Sequence, residues 1–360
     1  MPVLLKEGRW WSEEGGTGAI RCGLCPHECR IKNGRTGVCG VRKNVDMRLY
    51  TINYGRVCVA VVDSIEKKPI FHFRPGSTLY SVGTIGCNLD CAYCQNYGLV
   101  RGNFDNVPFR EMDPQGLVRE ALSKEVDGIG WTFNEPTVWA EYVIDASAEG
   151  RRKNLYSMIN TNGFITKKAR EDLLPHIDVL KVDVKGFREE FYRNVCNGSL
   201  DPVLGTCIAA KEYGAHVELA YLMIPQLNDS DEEMRDFSEW TVGAMGADVP
   251  VHFFRFSPAF RLSHLPQESL DRMRLARAIA RRAGLKFVYL GGLISSEEQL
   301  TRCPKCGAAL VYRKGMEHTE KIFAGGAQMS RFCPSFSEVK VDMTGPMCPH
   351  CGEPIKIRLY

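Results

Sequence analysis

The sequence predicts an α/β fold, a full or partial parallel barrel with a small cysteine-rich module at each end. Strand-like segments alternate with helical ones through the middle of the chain, and this order builds a parallel sheet with helices outside it. Most of the 15 cysteines stand two or three residues apart, near the chain ends and in one central loop. The expected strands cover residues 79–85, 128–133, 155–161, 179–184, 217–224, 251–256 and 287–290.

Helical segments separate these strands, and two of them carry start signals. Asp113 stands directly before Pro114, and Ser230 is followed three residues later by Glu233, as in a capping box. The expected helices cover residues 114–124, 136–149, 166–174, 202–213, 230–244 and 267–283. The resulting domain boundaries are 1–75 for a cysteine-rich extension, 76–295 for the barrel and 296–360 for a terminal module.

Composition excludes several classes of function. The 46 basic and 43 acidic residues leave a formal charge of +3, which gives no reason to expect a nucleic-acid partner. No apolar run approaches the roughly 18 residues that span a bilayer, so we expect no membrane association. Residues 1–8 lack the apolar core of a signal peptide. The expected location is the cytoplasm, where thiolates persist and can hold metals.

Polar or cysteine residues stand directly after the carboxyl ends of several expected strands. Glu135, Asn162 and Lys185 each come just after a strand, as does Cys87. Chemistry in barrels of this type sits on the loops after the carboxyl ends of the strands. These side chains should therefore meet at one rim.

The central cysteines Cys87, Cys91 and Cys94 have the spacing C-x3-C-x2-C. One short loop with this spacing can direct three thiolates at a cubane 4Fe-4S cluster and leave one iron open for a substrate. A structural zinc ion is the alternative, but it needs a distant fourth ligand. Cys58, Cys196 and Cys207 stand alone and are interpreted as small apolar core residues.

The central loop resembles the signature of radical S-adenosylmethionine (SAM) enzymes, and the barrel that carries it is similar to theirs. The resemblance implies that SAM chelates the open iron. It also implies that one electron cleaves SAM to methionine and a 5′-deoxyadenosyl radical, which abstracts a hydrogen atom from the substrate. Such an enzyme is an oxidoreductase that needs an external one-electron reductant such as flavodoxin or ferredoxin.

Further stretches resemble the branch that activates glycyl-radical enzymes, such as pyruvate formate-lyase. Glu135 corresponds to the carboxylate that receives the SAM ammonium in the Gly-Gly-Glu-Pro motif of that branch, although the two glycines are replaced. Ser257 stands where relatives have a SAM-contacting histidine. The cofactor-binding residues that the resemblance implies are Tyr93, near the adenine, and Asn134, Glu135, Asn160, Asn162, Asp183 and Lys185.

Each of these residues also has a structural interpretation. Glu135 could be a first-turn carboxylate before Pro136, and Tyr93 a core aromatic residue. The short polar ends at Asn160, Asn162 and Asp183 could serve only as turn formers. Their shared position on the rim favours the binding role.

A nearly full-length similarity, including residues 22–39 and 65–73, is to the AmmeMemoRadiSam-system radical SAM proteins, which are described as pyruvate formate-lyase activase-like. In the first segment, Cys22, Cys25, Cys29 and Cys39 could close a zinc site or hold a second cluster, and zinc is preferred because four thiolates complete its shell. In the second segment, Lys67, Lys68 and His72 either enter the active site or form a polar hairpin face.

Two C-x2-C-G knuckles, at Cys303–Gly307 and Cys348–Gly352, predict a zinc-ribbon-like site at the carboxyl-terminal end. A rubredoxin-like iron site has the same four ligands, which are Cys303, Cys306, Cys348 and Cys351. Cys333 lies between the knuckles as a competing ligand.

The predicted function is that of a radical SAM enzyme with a 4Fe-4S cluster, SAM and zinc, acting on a separate protein or on a small molecule. Two other functions stay open at this point. One is a non-catalytic iron–sulfur electron-transfer protein, and the other is a zinc-ribbon protein that binds a partner.

Overall fold

The amino-terminal region consists of short strands. The computed structural model describes residues 5–16, 18–292, 296–316, 319–324, 327–332 and 335–360. The first strands are β1 (Lys6–Glu7), β2 (Trp11–Glu14), β3 (Ala19–Cys22), β4 (Arg30–Lys32), β5 (Arg42–Val45), β6 (Arg48–Thr51) and β7 (Arg56–Val57). They form two small antiparallel sheets, β1-β6-β5 and β2-β3-β4, while β7 pairs with a later strand.

One eight-stranded sheet dominates the middle of the chain. The strands that follow are β8 (Val59–Ser64), β9 (Thr78–Gly83), β10 (Arg110–Glu111), β11 (Gly128–Trp131), β12 (Tyr156–Thr161), β13 (Val179–Val184), β14 (His216–Met223), β15 (Val251–Arg255) and β16 (Val288–Gly291). All except β10, the partner of β7, join the sheet in the order β16-β15-β14-β13-β12-β11-β9-β8. Strands β9 and β11 to β16 are parallel, and β8 adds antiparallel to β9.

This sheet confirms the predicted α/β class and gives the partial form of the barrel, because β8 and β16 are its two edges. Each predicted strand is present within about two residues of its expected bounds. The sequence did not predict β8, which comes from the segment assigned to the extension. The parallel strands are almost continuously buried, as expected for a sheet covered on both faces.

Helices connect the strands at the predicted places. They are α1 (Tyr97–Val100), α2 (Pro114–Ser123), α3 (Ala140–Arg151), α4 (Lys167–Leu173), α5 (Glu189–Phe191), α6 (Asp201–Tyr213), α7 (Asp231–Trp240) and α8 (Leu270–Arg282). Asp113 and Ser230 accept hydrogen bonds from Gly116 N and Glu233 N, which confirms both start signals. The Glu233 carboxylate does not return to the cap and accepts from Phe187 N at 2.5 Å instead.

The carboxyl-terminal region adds β17 (Thr301–Arg302), β18 (Ala309–Met316), β19 (Thr319–Ala324), β20 (Ala327–Phe332) and β21 (Ser335–Val341). Strands β18 to β21 occupy the long stretch between the two cysteine knuckles. This region packs on the barrel through an apolar core that includes Phe71, Phe287 and Leu310. Arg313 joins the two parts, because its guanidinium donates to the Phe71 carbonyl at 2.6 Å. Within the described residues, no helix is long and apolar enough to cross a membrane.

Candidate active site and metal centres

A cavity of about 920 Å³ lies at the carboxyl ends of the parallel strands. Glu135 follows β11, Asn162 follows β12 and Lys185 follows β13, so the strand order brings these side chains to one rim. The structure thus brings to one cavity all seven predicted cofactor-binding residues and two of the three predicted cluster cysteines, with Cys91 outside its lining. The predicted site residues that line the cavity are Cys87, Tyr93, Cys94, Asn134, Glu135, Asn160, Asn162, Asp183 and Lys185.

The loop between β9 and α1 carries Cys87, Cys91 and Cys94. Cys87 receives a hydrogen bond from Leu89 N at 3.4 Å, and the Asn162 amide lies 3.8 Å from its sulfur. Burial raises the pKa of Cys87 well above its ordinary value and that of Cys94 to about 11. A bound metal centre would be needed to keep both as thiolates at neutral pH.

The three thiols of this loop suit a 4Fe-4S cubane, which they would leave with one open iron. A single zinc ion is usually four-coordinate and would need a fourth ligand from elsewhere in the chain.

Glu135 is fixed by neighbouring strand ends. Its carboxylate accepts hydrogen bonds from the Thr161 hydroxyl at 2.7 Å, from Asn162 N at 2.8 Å and from Thr137 N at 2.9 Å. Burial raises the pKa of Glu135, and these hydrogen bonds act in the opposite direction. The result is a buried, pre-oriented carboxylate on the cavity wall, the kind of group that can receive a cationic ligand.

Asn134 and Asn160, the rim asparagines other than Asn162, differ in their hydrogen bonds. Asn134 is occupied with the backbone: it accepts from Thr84 N and donates to the Gly86 carbonyl, so it braces the start of the cysteine loop. Asn160 donates to the Thr132 hydroxyl at 3.5 Å, and its Oδ1 is buried without a hydrogen-bond partner among the described residues. A bound ligand would satisfy this oxygen.

Asp183 is shared by two lysines. Its carboxylate lies 2.6 Å from Lys181 Nζ and 3.0 Å from Lys185 Nζ. Burial would raise the pKa of Asp183, but attraction by the two ammonium groups outweighs this effect and holds the pKa at about 2. The same pair raises the pKa of Lys185 despite its burial. Asp183 is thus a permanent anion, and Lys185 a cation, on the cavity wall.

The cavity floor contains a histidine–glutamate network that the sequence analysis missed. Glu218 accepts from His216 Nε2 at 2.9 Å and from His252 Nε2 at 2.6 Å, and it also accepts from the main chain at His72 N. His252 lines the cavity and stacks on Tyr289. The sequence did contain one signal for this network. Side chains along a strand alternate between its two faces, so His216 and Glu218, two positions apart on β14, lie on the same face.

Residues 65–73 contribute one wall of the cavity. Lys67 and Lys68 line it, and both ammonium groups contact Asp63, at 2.8 Å and 2.5 Å. His72 is fully buried and bonds to the Tyr289 hydroxyl at 2.6 Å instead of facing the cavity. The structure therefore brings the two lysines, but not the histidine, to the cavity.

Tyr93 and Cys196 lie behind the cysteine loop. Tyr93 lines the cavity but is only 4% exposed, and its hydroxyl lies 3.7 Å from Cys196 Sγ. Its role near an adenine stays a prediction. Cys196 and Cys207 are core residues as expected, and the Cys196 carbonyl also accepts a hydrogen bond from Asp90 N of the cysteine loop at 2.8 Å. Ser257 lines the cavity and accepts from Gln267 Nε2 at 3.2 Å.

The carboxyl-terminal cysteines form a compact group. Sulfur separations are 3.6 Å between Cys303 and Cys351 and 3.7 Å between Cys306 and Cys348, as expected around one tetrahedral ion. Gly307 has φ +74° and directs its N–H to the Cys303 carbonyl, which closes the tight turn of a knuckle. Cys333 falls outside the described residues.

The amino-terminal cysteines Cys22, Cys25, Cys29 and Cys39 line one small enclosed pocket together with Arg42. Burial, with further contributions from the neighbouring thiols, raises the pKa of Cys25 to about 12.

Beside this pocket, Arg42 forms a buried pair with Glu141 on α3. Arg42 Nη1 lies 2.7 Å from both carboxylate oxygens, and both side chains are 1% exposed. This pair ties the amino-terminal module to the barrel.

Several known proteins resemble this chain in sequence or in structure. Residues 81–238 match the Radical SAM superfamily. An uncharacterised protein of Methanocaldococcus jannaschii is 35% identical over 340 residues, which cover 94% of this chain and 96% of that protein. The pyruvate formate-lyase 1-activating enzyme of Escherichia coli is 23% identical over 164 residues, 43% of this chain and 65% of that enzyme. The structure of Streptococcus suis SuiB bound to S-adenosylmethionine aligns with a TM-score of 0.46 and 15% identity, over 67% of this chain and 56% of that chain.

Proposed function

The chain belongs to the radical SAM superfamily, and we propose that it cleaves SAM reductively at a 4Fe-4S cluster held by Cys87, Cys91 and Cys94. The observation that carries this proposal is a three-thiol loop, two of whose cysteines, Cys87 and Cys94, lie on the wall of a cavity of about 920 Å³. A ferredoxin-like electron carrier has no need of such a cavity. The cavity therefore favours the enzyme over the carrier.

The side chains on the rim have distinct roles in this proposal. Glu135 receives the ammonium of SAM, and the open Oδ1 of Asn160 accepts a further hydrogen bond from it or from the ribose. Asp183 and Lys185 supply a fixed anion and cation beside the ligand. Asn162 orients the loop through Asn88. The bound cluster and SAM supply one-electron cleavage of the sulfonium and a 5′-deoxyadenosyl radical that abstracts hydrogen from the substrate.

The substrate of the abstraction is proposed by similarity to the glycyl-radical-enzyme activases. The similarity to the Escherichia coli enzyme at 23% identity supports an activase-like reaction on a separate protein, and a small-molecule substrate fits the same cavity. The electron must come from outside the chain, from a reductant such as flavodoxin or ferredoxin. The proposed setting is the cytoplasm.

The terminal modules are proposed to be structural metal sites. The sulfur spacing at Cys303, Cys306, Cys348 and Cys351 supports one zinc ion. The preferred ion at the amino-terminal cysteines, which line one small pocket, is also zinc, and a second iron–sulfur cluster is the alternative.

Electron paramagnetic resonance (EPR) on the anaerobically reconstituted, dithionite-reduced protein tests the site. Addition of SAM should change the spectrum of the reduced cluster, because the ligand chelates the open iron. Cys91→Ala should lose this signal, and Cys58→Ala, a matched variant outside the loop, should keep it. A reduced cluster whose spectrum is unaffected by saturating SAM would contradict the proposal.

A further inference from the structure

A histidine of the amino-terminal module contacts the cysteine loop. His27 lies between Cys25 and Cys29, and its Nε2 is 2.8 Å from the Asn88 carbonyl oxygen. A carbonyl oxygen can only accept, so Nε2 is the donor. The imidazole also packs edge-on against Phe164, with ring centroids 5.1 Å apart. His27 is thus held between the loop after β9 and the loop after β12.

Asn88 connects His27 to the proposed SAM site. The side chain of Asn88 is fully buried: its Nδ2 donates to the Phe164 carbonyl at 2.6 Å, and its Oδ1 accepts from Asn162 Nδ2 at 2.8 Å. Asn162 in turn donates its backbone N–H to the Glu135 carboxylate at 2.8 Å. One path of hydrogen bonds therefore runs from His27 through Asn88 to Asn162 and Glu135 on the cavity rim.

The main chain fixes the amino-terminal module against the same two loops. Thr166, after β12, donates its backbone N–H to the Leu24 carbonyl at 3.1 Å. Gly86 stands directly before Cys87 and has φ +99°, and a Cβ at this position would lie only 3.0 Å from the Cys39 carbonyl oxygen. Glycine permits this close approach because it has no side chain. The position of His27 relative to the cysteine loop is therefore set by backbone contacts on both sides.

We infer that His27 is a positioning residue for SAM: its hydrogen bond to the Asn88 carbonyl holds Asn88, and through it Asn162, in the orientation that binding requires. The inference rests on the proposed SAM site at Glu135. His27 is not among the residues that line the cavity, so it acts only through the residues in front of it. Side chains that bind a ligand keep their geometry when the groups behind them are locked by packing and hydrogen bonds. The amino-terminal module thus has a role in SAM binding in addition to its proposed metal site.

The test is a titration of the anaerobically reconstituted, dithionite-reduced protein with SAM, in which the change in the EPR spectrum gives the dissociation constant. His27→Ala should raise this constant about three- to tenfold, as expected for the loss of one hydrogen bond, and should keep the cluster iron. His27→Gln can still donate to the Asn88 carbonyl and should restore most of the affinity. Lys6→Met is the control and should bind SAM like the wild type, because Lys6 also joins the amino-terminal region to the barrel but does so at Asp145 on α3.

Three outcomes would overturn the inference. The first is a dissociation constant in His27→Ala equal to that in Lys6→Met. The second is equally weak binding in His27→Ala and His27→Gln, because the hydrogen bond would then not be what matters. The third is loss of cluster iron from His27→Ala while Lys6→Met retains it, because His27 would then support the cluster instead of SAM. A wild-type cluster that does not respond to SAM refutes the proposed function itself and is recognised before any variant is compared.

Discussion

The Glu135 carboxylate accepts a hydrogen bond of 2.7 Å from the Thr161 hydroxyl, so the ends of the neighbouring strands β11 and β12 are joined at the cavity rim. The next residue, Asn162, donates its backbone N–H to the same carboxylate. Glu135 is therefore oriented by the sheet before a ligand binds. Pre-orientation of this kind reduces the conformational entropy that is lost when a ligand binds.

Replacement of this carboxylate should weaken SAM binding. Glu135→Gln removes the charge that we propose pairs with the ammonium of SAM, and it should raise the dissociation constant at least about tenfold, or about 1.4 kcal/mol. Anaerobic calorimetry with SAM measures the effect. Glu233→Gln is the matched control, because Glu233 is buried, also accepts from a backbone N–H, and does not line the cavity. Equal affinities in the two variants would exclude the binding role of Glu135.

Asp183 should stabilise the fold over the whole neutral range. A pKa lowered from 3.8 to about 2 contributes about 2 kcal/mol, fully present above pH 4 and lost as the pH falls through 2. Asp183→Asn should lower the free energy of unfolding by at least this amount, by the same margin at pH 6 and pH 8. Urea unfolding measures it, with the exposed Asp271→Asn as control. A margin that shrinks between these pH values would show that Asp183 titrates near neutrality.

The carboxyl-terminal module should depend on its metal. Cys306→Ser removes one of four ligands and should cost the protein one equivalent of zinc, with a lower unfolding temperature for this region. Elemental analysis and differential scanning calorimetry provide the two measurements. Cys58→Ser should keep its zinc. Iron with a rubredoxin-like absorption spectrum would show that the site carries electrons instead.

The amino-terminal cysteines offer a separate metal test. Cys29→Ser should remove the second metal without affecting the EPR signal of the central cluster. Zinc analysis that falls by one equivalent supports the preferred ion, and a loss of about four irons supports a second cluster. No change in either metal would mean that these four cysteines hold none.

The Arg42–Glu141 pair should contribute strongly to docking of the amino-terminal module. Removal of one partner leaves a buried charge unpaired, so Arg42→Met should lower the free energy of unfolding by about 3–5 kcal/mol. Arg48→Met breaks the exposed pair with Glu7 and should cost less than about 1 kcal/mol. Unfolding in urea compares them. Similar losses of unfolding free energy in the two variants would indicate that burial of the Arg42–Glu141 pair adds nothing to stability.

The sheet could be predicted because strand and helix patterns are local. The bounds of β13 agree with the expectation, and those of β12 and β15 differ by one residue. The rim residues could be predicted as well, because parallel strands end on the same side. Edge strand β8 is followed only by one short 3-10 turn, Ile65–Lys67, and not by an α-helix, so the alternation that revealed the other strands could not include it.

Contacts between distant parts of the chain could not be predicted. Cys196 looked like an isolated apolar residue, since nothing local shows that its turn pairs with the loop 105 positions earlier, at Cys91. Glu233 looked like the second half of a capping box, but it folds inward to Phe187 N. In both cases the hydrogen bonds that fix the residue join distant parts of the chain, where no local pattern can show them.

The central claim is tested most directly by quantifying the products of SAM. The reconstituted protein is reduced anaerobically and incubated with SAM, and methionine and 5′-deoxyadenosine are measured by liquid chromatography and mass spectrometry. We predict equal amounts of both, none with Cys91→Ala, and deuterium in 5′-deoxyadenosine when the substrate is deuterated. A cluster that is fully reduced while SAM stays intact would contradict the account.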